Sequence, residues 1–199
     1  MTEHTSEANG PPRVHRAGST VTLARAALAL GVAIALAGGA IWTWRHPAAP
    51  SNAAETAEAV PWLYSLTLPD ADGAKWPLKT WQGKLLVVNF WATWCTPCIE
   101  EMPELQKFSD EFAARNVAVI GIGIDEPDKI REFARQHRLR IALLAAGFDG
   151  MQLATRLGNP EPVLPYTALI SPGGRLIEEH SGRLDPAELR RWVNRQPTM

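Results

Sequence analysis

The sequence predicts an α/β domain, and three observations carry that prediction. Apolar runs short enough for buried strands, at residues 85–88, 117–124 and 141–145, alternate with stretches of helical spacing. The clearest helical stretch follows its strand closely, with Ile99, Met102, Leu105, Phe108 and Phe112 on one face. Alternation of this kind builds parallel strands with helices laid on the sheet. The third observation is chemical: the only two cysteines of the 199 residues, Cys95 and Cys98, stand where the first of those strands gives way to that helix.

The N-terminal part has a different organisation. Residues 1–25 are polar and rich in Gly, Pro, Ser and Thr, the composition of a disordered tail. Residues 26–44 carry no charge, close to the roughly 20 residues that span a bilayer. Arg25 and Arg45 bracket the run, and Trp42 and Trp44 mark one interface. Arg13, Arg16 and Arg25 precede it, which predicts a cytoplasmic N-terminus and a single-pass anchor in the inner membrane. A cleaved signal peptide is the competing reading, with Ala53, Ala54 and Ala57 offering a site; the run is longer than an ordinary signal core of about 7–15 residues. Residues 45–60, Ala-, Pro- and Glu-rich, read as a linker, and residues 61–196 as the folded domain.

Within that domain, residues 62–68 have strand character, Pro69-Asp-Ala-Asp-Gly73 is a turn, and residues 76–78 are the return arm of a hairpin. The helix after Cys98 carries Pro103, which removes one hydrogen bond and bends the axis. Glu126-Pro127 opens a helix whose apolar positions are Ile130, Phe133 and Ala134. Met151, Ala154 and Leu157 predict a further short helix. Residues 168–170 and 176–179 flank the turn Pro172-Gly-Gly174 as a second hairpin. Asp185 is the expected N-cap of a last helix, with Pro186 in its first turn, Glu188 as capping-box partner, and Leu189, Trp192 and Val193 facing inward.

The cysteine pair reads as a redox dithiol. A helix N-terminus offers free N–H groups and a positive dipole end, which favour a thiolate at Cys95. Pro97 fits the first turn, where a missing N–H costs nothing. Cys98, about one turn on, can attack a mixed disulfide formed on Cys95. Two plainer readings compete. A passive disulfide closing so short a loop constrains the unfolded chain little. A structural zinc site needs four ligands, and no second cysteine or histidine pair accompanies this one, His137 and His180 standing alone.

Phe90-Trp-Ala-Thr-Trp-Cys-Thr-Pro-Cys98 resembles the active-site signature of the thioredoxin superfamily, and more narrowly that of the membrane-anchored periplasmic TlpA-like thiol–disulfide oxidoreductases, the cytochrome c maturation proteins included. The resemblance implies a thioredoxin-like fold with an N-terminal β-hairpin and a central insertion, preceded here by one transmembrane helix. Pro165 follows Cys95 by 70 positions, which puts the insertion between Asp125 and Gly158. It also implies a cis Leu164–Pro165 peptide beside the dithiol, with Trp94, Leu164 and Pro165 contacting an extended substrate. Glu101, three residues after Cys98 and on its helix face, matches a glutamate frequent in TlpA-like proteins. Partial burial would raise its pKa and suit it to proton transfer; a solvated Glu101 beside Glu100 is the alternative. Asn89, six residues before Cys95, stands where many relatives of this kind have a buried acid, and it cannot accept a proton.

The expected activity is therefore disulfide exchange: Cys95 attacks a substrate disulfide, Cys98 resolves the intermediate, and reduced substrate leaves with the Cys95–Cys98 disulfide formed. No cofactor is needed; the resemblance implies a membrane electron carrier as reductant. Apocytochrome c, a copper-site assembly protein and a general disulfide pool are all open as substrates. A redoxin-type peroxidase is one alternative, although that chemistry wants a Pro and a Thr ahead of the cysteine and only Thr93 is present. A tethered assembly or chaperone module that needs no thiol is another. With 20 basic against 21 acidic residues, a net charge of −1 and no basic stripe, nucleic-acid binding is not expected.

Overall fold

The structure, a computed structural model, describes residues 52–196. The expected tail and membrane anchor, and residues 45–51 of the expected linker, lie outside the described residues. No helix among those described is long and apolar enough to cross a membrane.

A five-stranded mixed sheet forms the centre. Its strands are β3 (Leu85–Trp91), β4 (Val117–Gly123), β5 (Ala142–Ala145), β6 (Tyr166–Ile170) and β7 (Leu176–Ser181), in the spatial order β5-β4-β3-β6-β7. The parallel expectation holds for β3, β4 and β5. β6 runs antiparallel to β3, and β7, returned by the Pro172-Gly-Gly174 turn as the expected hairpin, runs antiparallel to β6. All seven residues of β3 are buried, as expected of a central strand with both faces covered.

Side-chain alternation along β3 divides the core. Leu85, Val87 and Trp91 face the helices α2 (Thr96–Phe112), α3 (Pro127–His137) and α5 (Pro186–Asn194), packing with Met102, Phe108, Ile130, Phe133, Leu189 and Trp192. Leu86, Val88 and Phe90 face α1 (Asn52–Ser65) and α4 (Gly150–Arg156), packing with Val60, Leu63, Leu153 and Ala154. The segment between Asp125 and Gly158 thus supplies α3, the edge strand β5 and α4.

Three expectations need correction. The linker and the strand predicted at residues 62–68 overlap α1, whose interior accommodates Pro61 and whose Val60 and Leu63 are core residues. The hairpin itself exists but is shorter: β1 (Thr67–Pro69) pairs with β2 (Lys75–Pro77) as a separate two-stranded sheet. Asp185 does cap α5, accepting from the Ala187 N–H at 2.6 Å, but no hydrogen bond from the Glu188 side chain completes a capping box.

Candidate active site

Cys95 is the N-cap of α2, with extended backbone, and its carbonyl accepts the Ile99 N–H at 3.1 Å. Pro97 lies in the first turn. Cys95 and Cys98 are joined as a disulfide with Cα atoms 5.2 Å apart. Cys95 is 7% exposed, against 1% for Cys98. The order of accessibility is the one exchange chemistry needs, because an incoming sulfur reaches Cys95 first. Trp94 beside it is 60% exposed.

Glu101 is 2% exposed, not solvated. Its Oε1 accepts a long hydrogen bond of 3.4 Å from Asn89 Nδ2, and its Oε2 has no partner. Burial pushes its pKa from the ordinary 4.5 up to about 7, against smaller opposing pulls, first from the Leu184 backbone N–H and then from the positive charge of Arg183. Asn89 also donates to Thr167 Oγ1 at 3.0 Å while its own Oδ1 goes unpartnered. The strand register brings these groups together, since Asn89 of β3 stands opposite Thr167 of β6. A buried carboxyl with a free oxygen can give or take a proton one helical turn from Cys98.

The β3–β6 register puts Pro165 next to the end of β3, where Tyr166 pairs with Phe90, and Leu164 packs against the cluster that holds Cys95 and Cys98. The Leu164–Pro165 peptide is cis, and the Pro165 carbonyl accepts the Gly182 N–H at 2.8 Å. Asn159 holds the preceding segment by donating to the Val163 carbonyl at 2.9 Å.

Three residues at the site were not read from the sequence. Thr167 carried no local signal beyond its place two residues after Pro165. Asp125 receives hydrogen bonds from the Thr93 N–H and Thr93 Oγ1, which fixes the loop leading into Trp94 and Cys95. Arg183 lies 3.4 Å from Glu100 and 3.2 Å from Glu104. Among the described residues, no group of three or more His, Cys, Asp or Glu side chains could hold a metal ion.

A dithiol at the start of a helix that leaves the central strand, a cis-proline across from it and helices on both sheet faces define a thioredoxin-like redox domain. Residues 61–178 match the model of the AhpC/TSA family, and the chain belongs to that family. It is 30% identical over 132 residues to the thiol-disulfide oxidoreductase ResA of Bacillus thuringiensis subsp. konkukian, covering 66% of this chain and 74% of that one. Two solved structures share the fold. A thiol:disulfide interchange protein of Chlorobium tepidum aligns with a TM-score of 0.59 at 21% identity, over 65% of this chain and 90% of its own. A secreted disulfide oxidoreductase of Mycobacterium tuberculosis aligns with a TM-score of 0.56 at 21% identity, over 69% and 97%. The protein is a thiol–disulfide oxidoreductase.

Proposed function

We propose that the chain is a membrane-tethered reductant of protein disulfides, with residues 26–44 as its anchor and its redox domain in the periplasm. Cys95 attacks the substrate disulfide as a thiolate, one substrate sulfur leaves with the electron pair, and the thiolate of Cys98 displaces the second. The two electrons of the dithiol end on the substrate, and a membrane electron carrier restores them. Glu101 takes the Cys98 proton in the resolving step and returns it on reduction; Asn89 and Thr167 hold that carboxyl in place.

The observation that carries the direction is the charge around the disulfide. A strong oxidant needs a very acidic thiolate, which positive charge produces. Here Glu100, Glu101 and Glu104 make the second and third turns of α2 acidic, no Lys, Arg or His lies between Leu85 and Pro103, and Arg183 is matched by Glu100 and Glu104. The thiolate is stabilised mainly by the helix start, which favours a potential closer to the value of about −270 mV for thioredoxin than to about −120 mV for a strong oxidant. The ResA relatives, named thiol-disulfide oxidoreductases, support the chemistry.

Equilibration of the purified protein with glutathione buffers tests the direction; a potential near about −120 mV would make the protein an oxidase. Expressed in cells, Cys98→Ser is expected to accumulate mixed disulfides on Cys95, and mass spectrometry of the trapped species names the substrate. An absence of trapped protein, with Cys95→Ser behaving identically, would remove the reading.

A further inference from the structure

Two exposed aromatic side chains, Trp94 and Phe148, stand on loops at one end of the sheet. Trp91 of β3, Gly123 of β4 and Ala145 of β5 stand in one row across the strands. Three residues beyond Trp91 is Trp94; three residues beyond Ala145 is Phe148, which is 80% exposed and belongs to neither face of the core. Neighbouring strands are about 4.8 Å apart, so the two chain exits are separated by roughly 10 Å.

The ground between them is continuous and fixed. Asp125, two residues beyond Gly123, accepts from the Thr93 N–H and hydroxyl and so ties the Trp94 loop to the end of β4. Gly150, on the other side, lies against Ile124: a Cβ at this glycine would come within 2.7 Å of the Ile124 side chain. The turn bearing Phe148 is thereby laid on the residue next to Asp125. Gly147, with φ 55°, gives that turn its left-handed start. Phe148 is therefore held out from an anchored turn at the same end of the sheet as the dithiol, where an aromatic ring offers contact area at low entropic cost.

We propose that Phe148, together with Trp94, forms a docking surface for an extended cysteine-containing polypeptide that carries a large apolar side chain about three residues from its reactive cysteine. The spacing follows from the gap: roughly 10 Å of extended chain at about 3.3 Å per residue is three residues. The cysteine sits at Cys95, the adjacent backbone lies beside Leu164–Pro165, and the chain crosses the end of β4 to place its apolar side chain on Phe148. This rests on the dithiol-exchange reading and adds to it a preference in sequence.

The test uses the full-length reduced protein and homodimeric peptide disulfides, each half with one cysteine and either Trp or Ser three positions away, on the N-terminal or the C-terminal side. Each turnover moves two electrons from the protein dithiol to one peptide disulfide and releases two peptide thiols, which chromatography counts. Oxidised glutathione serves as the reference disulfide. Wild type is expected to reduce one of the Trp peptides about tenfold faster than its Ser counterpart, the scale of discrimination an apolar contact supplies. In Phe148→Ser that ratio falls to near one, and in Phe148→Leu most of it survives. A wild-type ratio near one with glutathione still reduced, or a ratio unchanged in Phe148→Ser, overturns the assignment of Phe148 alone. Failure to reduce glutathione and every peptide would remove the exchange reading as well.

Discussion

Two buried carboxyls flank the dithiol, and their environments are opposite. Asp125 is 7% exposed, yet its oxygens accept from the Thr93 N–H and hydroxyl, the Glu126 N–H and, at 3.3 Å, the Lys129 ammonium. Burial pushes its pKa up, but those donors outweigh burial and hold it below the usual carboxylate range. Glu101 has one long hydrogen bond and a free oxygen, so burial wins and its pKa rises to about 7. Burial and donors together therefore decide protonation: Asp125 lies shallower among many donors, Glu101 deeper among few. The first carboxylate is a strut that stays charged, the second a group free to change its proton near neutral pH, and environments that separate two pKa values in this way mark the acid–base member.

The largest expected effect belongs to Glu101. Its folded-state pKa lies above its unfolded one, so its contribution to stability is fully present below about 4.5 and is lost as pH rises through about 7. That loss is roughly 3 kcal/mol for a group this buried. Asp125 works the other way: its contribution is lost as pH falls below its ordinary 3.8. Urea unfolding across pH is expected to show stability falling from pH 5 to pH 8 in wild type and a flatter profile in Glu101→Gln. The same variant is expected to slow disulfide exchange about 100-fold at pH 7, the lower end of what a positioned acid or base contributes. An unchanged profile and rate would erase the contrast between the two carboxyls.

Asp125→Ala comes next. It removes the acceptor for two backbone N–H groups and a hydroxyl and leaves them unpaired, a loss of about 2 kcal/mol in the unfolding free energy at pH 7. The Trp94 loop loosens with it, so exchange with protein disulfides is expected to slow while the titration near pH 7 persists. A variant in which that titration vanished would mean that Asp125, not Glu101, carries the proton.

Much of this was legible where the determining forces are local. The strand running into a helix at Cys95, Pro97 in the first turn, the Asp185 cap and Glu101 on the Cys98 face all follow from spacing along one element. The same approach failed at α1, where Pro61 and an Ala-rich composition resemble a linker; Val60 and Leu63 make it helix by packing on the sheet, which no local pattern announces. The proton site was half legible for a similar reason. Asn89 and Glu101 come from adjacent elements, but Thr167 reaches them through the β3–β6 register, 78 residues along the chain. Asp125 and Arg183 belong to the same class, since each acts on residues that only the sheet brings near.

Arg183 carries the smallest and most discriminating prediction. Its guanidinium spans Glu100 and Glu104, the residues on either side of Glu101 along that helix face, and its charge lowers the Glu101 pKa while Glu104 raises it. Arg183→Gln keeps much of the side-chain bulk over the site and removes the charge. Glu101 then loses its favourable neighbour and retains the unfavourable one, so the midpoint of the pH–rate profile for disulfide exchange moves to higher pH. The move is less than about one pH unit, because Arg183 is exposed and its field is screened, and added salt shrinks it further. Arg183→Lys is expected to hold the midpoint near the wild-type value. A midpoint that falls instead would show that Arg183 acts by keeping water from Glu101, since hydration favours the ionised carboxyl, and would replace a charge argument with a desolvation one.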